Sequence, residues 1–243
     1  MTYCVAIKLN EGMVFLSDTR TNAGLDNIAK FKKMFTWEVP GDRVITMMTA
    51  GNLAITQAVI SLLQENIDNP DNGFETILSA NSMFKVAELV GDAMRIVQNQ
   101  YGPGLSQMGE STISSIIVGG QRKDGEMRLF HVYSAGNFIE AVDETPYFQI
   151  GEHKYGKPIL DRVITTETPL NVCVTAALLS MDSTLRSNLS VGMPLDLTVI
   201  RNGELQFSEN RRIEDNDPNF SQLSRGWSDA LRRAFEEMVH LTV

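Results

Sequence analysis

Hydrophobic and polar residues alternate along the first segment of the chain and along several later ones. In residues 3–9, Val5, Ile7 and Leu9 fall on one face of an extended strand, and the polar residues 10–12 favour a tight turn. A second strand after this turn would complete a hairpin. The same kind of pattern predicts further strands at 13–17, 30–36, 43–50, 112–119, 127–134, 146–150, 195–201 and 204–207.

The period of the hydrophobic residues changes from two to about 3.6 after residue 51. Ile55, Val59, Leu62 and Leu63 recur at the spacing of one helix face, and Asn52 suits the N-cap position. A longer apolar stripe predicts a second helix, which the glycines and proline after Tyr101 should end. The predicted helices are one that begins after Asn52, three at about 74–101, 153–163 and 168–185, and, after a polar stretch at 208–219, an amphipathic helix with Trp227, Leu231, Ala234, Phe235 and Met238.

The order of these elements predicts the fold class. Strands, two helices, strands, two helices, strands and one further helix are typical of a layered α+β fold. We expect two antiparallel sheets between helix pairs, with an extra C-terminal helix. We assign residues 1–207 to one domain and 208–243 to a helical extension that packs on this domain or on a neighbouring subunit.

Composition excludes several classes of function. The 243 residues carry a net charge of −9, which disfavours binding to nucleic acid or to anionic membrane surfaces. The first residues lack the pattern of a signal peptide, and no apolar run approaches the ~18 residues of a membrane span. We therefore expect a cytoplasmic protein. His131, His153 and His240 are scattered, so we expect no metal site and no cofactor.

The N-terminus offers the materials of a nucleophilic site. Removal of Met1 would give Thr2 both a hydroxyl and a free α-amine, whose ordinary pKa of about 7.7–8.0 suits a base near neutral pH. Such a nucleophile also requires a nearby cation, an acid that orients it and a backbone N–H for the oxyanion. Lys33, Asp18 and Gly51 are the candidates for these roles, although Lys32 stands beside Lys33 on the opposite face of the predicted strand.

Several segments resemble one family when they are taken together and in order. After Thr2, the chain contains LSDTRTNAG, KKMF, TAGN, TISSIIVGG, GEMRLFHVYSAGNFIEA and MPLDLTVI, at 16–24, 32–35, 49–52, 112–120, 125–141 and 193–200. These segments resemble the proteasome β-subunit family of N-terminal nucleophile hydrolases over roughly residues 2–201. The resemblance implies a four-layer αββα sandwich, with the nucleophile at the mouth between the two sheets.

The resemblance also assigns roles by position. Thr2 matches the nucleophile, Asp18 the acid that orients the lysine, and Lys33 the catalytic lysine, since the KKMF segment favours the second of the two adjacent lysines. Arg20 matches a structural arginine, Gly51 matches the oxyanion donor, and Thr49 and Leu53 fall near the substrate pocket.

The chain departs from the family pattern at positions that usually orient the α-amine and a water. Glu152 stands where a serine usually follows the glycine at position 151. Near the last core helix, Asn188 and Val191 occupy the places of an aspartate and a serine three residues apart, and Ser190 is adjacent. We assign secondary roles at the site to Glu152, Asn188 and Ser190.

These assignments predict a threonine-type peptidase subunit that hydrolyses peptide bonds inside a homo-oligomer, either a ring or an open helix. The sequence identifies no ATPase partner. Two alternatives stay open. One is a catalytically idle assembly subunit, which the departures and a retained Met1 would favour. The other is an amidase that uses the same residues on non-peptide amides.

Overall fold

Two five-stranded antiparallel sheets lie face to face between two pairs of helices. The structure, a computed structural model, describes residues 1–22 and 28–239; Ala23 and Gly24 of the LSDTRTNAG segment and His240 lie outside these residues. The strands are β1 (Tyr3–Lys8), β2 (Gly12–Asp18), β3 (Arg20–Asn22), β4 (Ile28–Lys30), β5 (Met34–Val39), β6 (Arg43–Gly51), β7 (Ser114–Arg122), β8 (Arg128–Val132), β9 (Phe138–Glu140), β10 (Tyr147–Gly151), β11 (Leu195–Arg201) and β12 (Phe207–Ile213). The α-helices are α1 (Leu53–Asp68), α2 (Met83–Gln107), α3 (Lys157–Val163), α4 (Leu170–Ser187) and α5 (Pro218–Val239).

The two sheets have different strand orders. The first sheet runs β10-β1-β2-β11-β12 and the second runs β5-β6-β7-β8-β9, while β3 and β4 form a short ribbon. All of these pairings are antiparallel. The α+β, four-layer prediction is therefore confirmed.

Strand β1 illustrates why the layers form. Its larger side chains, Tyr3, Val5 and Ile7, point to a core shared with α3 and α4. The smaller Cys4 and Ala6 point to the layer between the two sheets. Because both faces are covered, β1 is almost fully buried, and each side chain removed from water stabilises the stack. A third cluster packs α1 and α2 on the outer face of the second sheet.

The second helix differs from its prediction at both ends. It begins at Met83 instead of about residue 74, because the Ser82 hydroxyl accepts the Lys85 N–H (3.1 Å) and caps the first turn. It also continues through Pro103 to Gln107. Proline has no N–H to donate, but the last turn keeps Leu105 packed against the core, and this packing compensates for the missing hydrogen bond.

Two strand predictions also require correction. Residues 31–33, predicted as strand, connect β4 to β5, so Lys33 directly precedes β5 instead of lying within a strand. The last strand was predicted at 204–207 but runs from Phe207 to Ile213, and it therefore crosses the boundary proposed between 207 and 208. Its pairing with β11 supplies the backbone partners that make this polar segment a strand.

Helix α5 packs on α4 through its N-terminal half. Phe220 joins the core beneath α4, and the Arg186 Nη2 donates to the Ser224 hydroxyl (2.8 Å). In the C-terminal half, Leu231, Phe235 and Met238 are exposed at helical spacing. Among the described residues, no helix combines the length and apolarity needed to cross a membrane.

The inter-sheet layer contains one histidine whose environment predicts a dependence of stability on pH. His131 lies beside the rings of Tyr133 and Phe148 (centroids 4.4 and 5.6 Å away), and its buried Nε2 has no hydrogen-bond partner within the described residues. Burial lowers the pKa of His131 to about 4. The unfolded chain would take up a proton near pH 6.5, whereas the folded chain would not, so acid favours unfolding.

We therefore expect the free energy of unfolding to fall as the pH decreases from about 6.5 to about 4, with a part of this loss absent in His131→Phe. Urea unfolding at closely spaced pH values measures the effect. His153→Gln, which changes an exposed histidine, serves as the control. Equal pH dependence in wild type and His131→Phe would contradict the prediction.

Candidate active site

Thr2 is held at the end of β1 through its backbone. Its carbonyl oxygen accepts the Glu152 N–H (2.6 Å), and the next amide, Tyr3 N–H, donates to Asp18 Oδ1 (3.0 Å). Gly151, with φ +82°, passes so close that an added Cβ would lie 2.0 Å from the Thr2 carbonyl oxygen. Position 151 therefore requires a glycine, because the Cβ of any other residue would push the Thr2 backbone away.

A buried ion pair lies next to this terminus. Lys33 Nζ donates to Asp18 Oδ1 (2.7 Å) and to the Arg20 carbonyl (2.6 Å), and it also contacts the Met1 carbonyl at 3.4 Å. Asp18 Oδ2 accepts the Gly192 N–H (3.2 Å). Both side chains of the pair are almost fully buried. Each charge thus compensates the other at a place where both are largely removed from water.

The environment shifts the pKa values of Asp18 and of the Met1 α-amine in opposite directions. Burial raises the pKa of Asp18, against the effect of the Lys33 ammonium and the N–H groups that donate to its carboxylate. Burial and the Lys33 charge lower the pKa of the Met1 α-amine, and Asp18 partly opposes them. An amine at this terminus is therefore more readily neutral than one in water.

The choice between the adjacent lysines is clear from their burial. Lys33 is 3% exposed and reaches the terminus, whereas Lys32 is exposed and lies over the Phe35 ring. This placement agrees with the selection of Lys33 from the KKMF segment.

Gly51 ends strand β6 at the edge of a cavity that Thr2 and Lys33 also line. In the antiparallel ladder successive N–H groups point to alternate sides, so the Gly51 N–H shares a side with that of Thr49, which donates to the Lys33 carbonyl (2.9 Å). Strand β5 begins only at Met34, so the Gly51 amide is directed beyond its end, into the cavity. This orientation suits an oxyanion donor.

The cavity has a volume of about 410 Å³ and brings together most of the predicted site. Thr2, Lys33, Thr49, Gly51 and Leu53 all contribute to its wall. Thr21 and Thr56 were not predicted from the sequence. Thr56 follows Leu53 by three residues on α1, so helical spacing was a signal for it. The complete lining is Met1, Thr2, Thr21, Lys33, Thr49, Ala50, Gly51, Leu53, Thr56 and Gly151.

Arg20 lies beside the cavity and holds a neighbouring loop. Its Nη1 donates to the Leu189 carbonyl (3.1 Å), and its guanidinium packs so closely on Gly192 that a Cβ there would overlap it. Gly192 thus has two contacts at the site, with Arg20 and with Asp18, although no sequence motif indicated it. Its neighbours along the chain give no local pattern that reports a contact 174 residues away.

Two of the three positions that depart from the family pattern are bonded to each other. Glu152 is buried, and its Oε2 accepts a hydrogen bond from Asn188 Nδ2 (3.0 Å). Asn188 Oδ1 accepts the Ser190 N–H (2.9 Å). Val191, at the position of the family's serine, is buried in the core under α4 and takes no part. Glu152 and Asn188 are therefore mutually bonded side chains instead of unpaired replacements.

Comparison with known proteins places the chain in a family. The proteasome subunit family model matches residues 2–200, and the chain belongs to this family. A comparison with curated proteins found no match. The resemblance to the proteasome β-subunit family is thus confirmed.

Among solved structures, the chain is similar to the bacterial proteasome homologue Anbu. A Gly-1 mutant of Anbu from Hyphomicrobium sp. strain MC1 is 49% identical, with a TM-score of 0.90 and 97% of each chain covered. Anbu from Yersinia bercovieri, described as an ancestral β-subunit, is 44% identical (TM-score 0.90; 96% of this chain and 97% of that chain). The helical assembly of the Anbu complex from Pseudomonas aeruginosa is 45% identical (TM-score 0.92; 97% and 96%).

The close approach at Gly51 gives a prediction about stability. An added Cβ would lie 2.2 Å from the Ile113 carbonyl oxygen, and Gly51 has φ +100°. We expect Gly51→Ala to lower the free energy of unfolding by about 2 to 4 kcal/mol, from backbone strain plus steric overlap. Gly41→Ala is the matched control, because Gly41 has φ +73° but open space around it. It should lose only about 1 kcal/mol in the same denaturant titration; equal losses would contradict the steric account.

Proposed function

We propose that this chain is a threonine-type peptidase subunit that hydrolyses peptide bonds with Thr2 after Met1 is removed. The observation that carries the proposal is the buried Lys33 ammonium, which Asp18 holds beside the cavity that Thr2 and Lys33 both line. A buried ammonium beside a hydroxyl favours the developing alkoxide. An ion pair with only a structural role would not need to lie beside a cavity that is lined by a threonine and into which a backbone N–H is directed.

The proposed reaction begins with attack of the Thr2 hydroxyl oxygen on the substrate carbonyl carbon. The hydroxyl proton passes to the Thr2 α-amine, and the Gly51 N–H stabilises the resulting oxyanion. Collapse of this intermediate breaks the C–N bond, and the departing amine takes the proton. The acyl ester on Thr2 is then hydrolysed by water, which releases the acid product and restores the hydroxyl.

The environment of the terminus supports the α-amine as the base. The same burial and the same Lys33 charge that lower the pKa of the Met1 amine would act on a Thr2 amine, whose nitrogen is bonded to the Met1 carbonyl group that contacts Lys33. The amine would then be neutral at a lower pH than a solvent-exposed terminus, and so able to accept a proton near neutrality.

The contact with Met1 favours a second candidate function. While Met1 is present it lines the cavity, and its carbonyl oxygen accepts a hydrogen bond from Lys33 Nζ at 3.4 Å. Such a chain has no free amine on Thr2 and would be a catalytically idle assembly subunit. The two candidates therefore differ by one residue.

We further propose that the subunits assemble with one another. Anbu from Pseudomonas aeruginosa forms a helical assembly, and the chain shares 45% identity with it over nearly its whole length. The exposed apolar residues Leu231 and Phe235 at the end of α5 offer one surface for such contacts. A peptide substrate and a cytoplasmic location remain parts of this proposal.

The central experiment combines intact mass with covalent trapping of Thr2. We expect the purified protein to lack Met1 and to add one peptide epoxyketone, a reagent that captures a threonine through both its hydroxyl and its α-amine. Thr2→Ser should retain this addition and Thr2→Ala should lose it, as intact mass spectrometry would measure. Retained Met1, or addition to Thr2→Ala, would overturn the peptidase proposal and support the idle subunit.

The adjacent lysines allow a matched test of the ion pair. We expect Lys33→Ala to slow trapping by at least about 100-fold, in line with the loss of a group that stabilises the developing alkoxide, while Lys32→Ala keeps the wild-type rate. Because Asp18 is left without its partner, thermal unfolding and light scattering should accompany the rate measurement. Trapping of a folded Lys33→Ala protein at the wild-type rate would contradict the role of Lys33.

A further inference from the structure

Two loops meet beside Thr2 through one pair of side chains. The first loop follows β10 and contains Glu152, and the second connects α4 to β11 and begins with Asn188. The Asn188 amide donates to the Glu152 carboxylate at 3.0 Å across a separation of 36 residues. These are the positions at which the chain departs from the pattern of its family.

The Glu152 carboxylate is built into its loop. Its Oε1 accepts the N–H groups of His153 (2.9 Å) and Lys154 (3.0 Å), and its Oε2 accepts Asn188 Nδ2. Burial alone would raise the pKa of Glu152, but these three donors outweigh it and lower the pKa. The side chain is therefore a buried carboxylate whose bonds all serve to hold the loop.

The loop that begins at Asn188 reaches the other half of the site. Asn188 accepts the Ser190 N–H, Leu189 accepts from Arg20, and Gly192 donates to Asp18. On the opposite side, the Glu152 N–H donates to the Thr2 carbonyl. A closed circuit of hydrogen bonds and short chain segments thus runs through Thr2, Glu152, Asn188, Gly192, Asp18 and Tyr3, back to Thr2.

We propose that Glu152 and Asn188 form a positioning pair, whose hydrogen bond holds the Thr2 backbone in register with Asp18 and Lys33. The pair acts through Thr2 and not on a substrate: of the described residues, Gly151 lines the cavity but neither Glu152 nor Asn188 does. The chemical consequence of this positioning rests on the proposed function, because only a reacting Thr2 requires its hydroxyl and amine at a defined place. The positioning itself does not.

A reciprocal exchange of the two side chains tests the pair. Glu152→Gln alone places an NH₂ group against the Asn188 NH₂, and Asn188→Asp alone places two carboxylates together. In the double variant Glu152→Gln/Asn188→Asp, the glutamine oxygen can accept from His153 and Lys154 while its NH₂ donates to the aspartate. The other aspartate oxygen keeps the Ser190 N–H. Every polar group is again paired, with the charge moved from position 152 to position 188.

Two measurements follow the variants. Amide hydrogen exchange read at single-residue resolution by NMR reports how firmly the Tyr3 N–H is held by Asp18, and the rate of epoxyketone addition reports the reactivity of Thr2. We expect the Tyr3 N–H of each single variant to exchange at least about tenfold faster than in wild type, and Thr2 to react at least about tenfold more slowly. In the double variant, both rates should return to within about threefold of wild type. Glu167→Gln, at an exposed glutamate, is the control and should match wild type.

The outcomes separate this proposal from the proposed function. Wild-type exchange in both single variants would overturn the positioning pair. A double variant that adds the epoxyketone as slowly as Glu152→Gln would also overturn the positioning pair, because the reaction would then require a charge at position 152. If Asn188→Asp does not fold, Asn188→Ala removes the bond without opposing two carboxylates and should show the same faster exchange. A wild-type protein that fails to react with the epoxyketone contradicts the proposed function, while hydrogen exchange still decides whether the pair positions Thr2.

Discussion

The burial of Lys33 together with Asp18 is the constraint on which the site depends. A single charge in this layer would be strongly unfavourable, so the two side chains must meet, and they come from different parts of the sandwich. Asp18 ends β2 in the first sheet, whereas Lys33 directly precedes β5 in the second. Their 2.7 Å contact therefore ties the two sheets together at the edge where the cavity opens. Thr2 lies at that edge because β1 is the neighbour of β2.

The site is built where strands end, since backbone N–H and C=O groups are free there for other partners. The Tyr3 N–H belongs to the first residue of β1 and the Thr2 carbonyl to the residue before it, while the Gly51 N–H belongs to the last residue of β6. Gly51 and Gly151 permit this arrangement because each passes a backbone oxygen at a distance that excludes a Cβ. Glycines in this region are thus part of the site geometry, even though they bring no side chain to it.

Much of the fold was predictable because hydrophobic periodicity reports local burial. The two faces of β1 and the stripe on α1 were correctly identified. The errors arose where tertiary packing outweighs a local signal. Leu105 keeps α2 helical beyond Pro103, and β11 turns the polar segment at Phe207–Ile213 into a strand. At the site, motif spacing located Thr2, Asp18 and Lys33, but the Glu152–Asn188 bond joins two loops 36 residues apart and leaves no local pattern.

The same contacts bear on why Glu152 and Asn188 are compatible with a nucleophilic site. A buried carboxylate near Thr2 would disturb the terminus if it had unsatisfied oxygens, because it would compete for the N–H groups that hold the backbone. Here its oxygens are occupied by His153, Lys154 and Asn188, and its own N–H is the group that holds the Thr2 carbonyl. Glu152, one of the residues that depart from the family pattern, thus supplies through its backbone N–H a direct hold on Thr2, the proposed nucleophile. A substitution of Glu152 should therefore act mainly through the position of the Thr2 backbone, and less through the loss of the carboxylate charge.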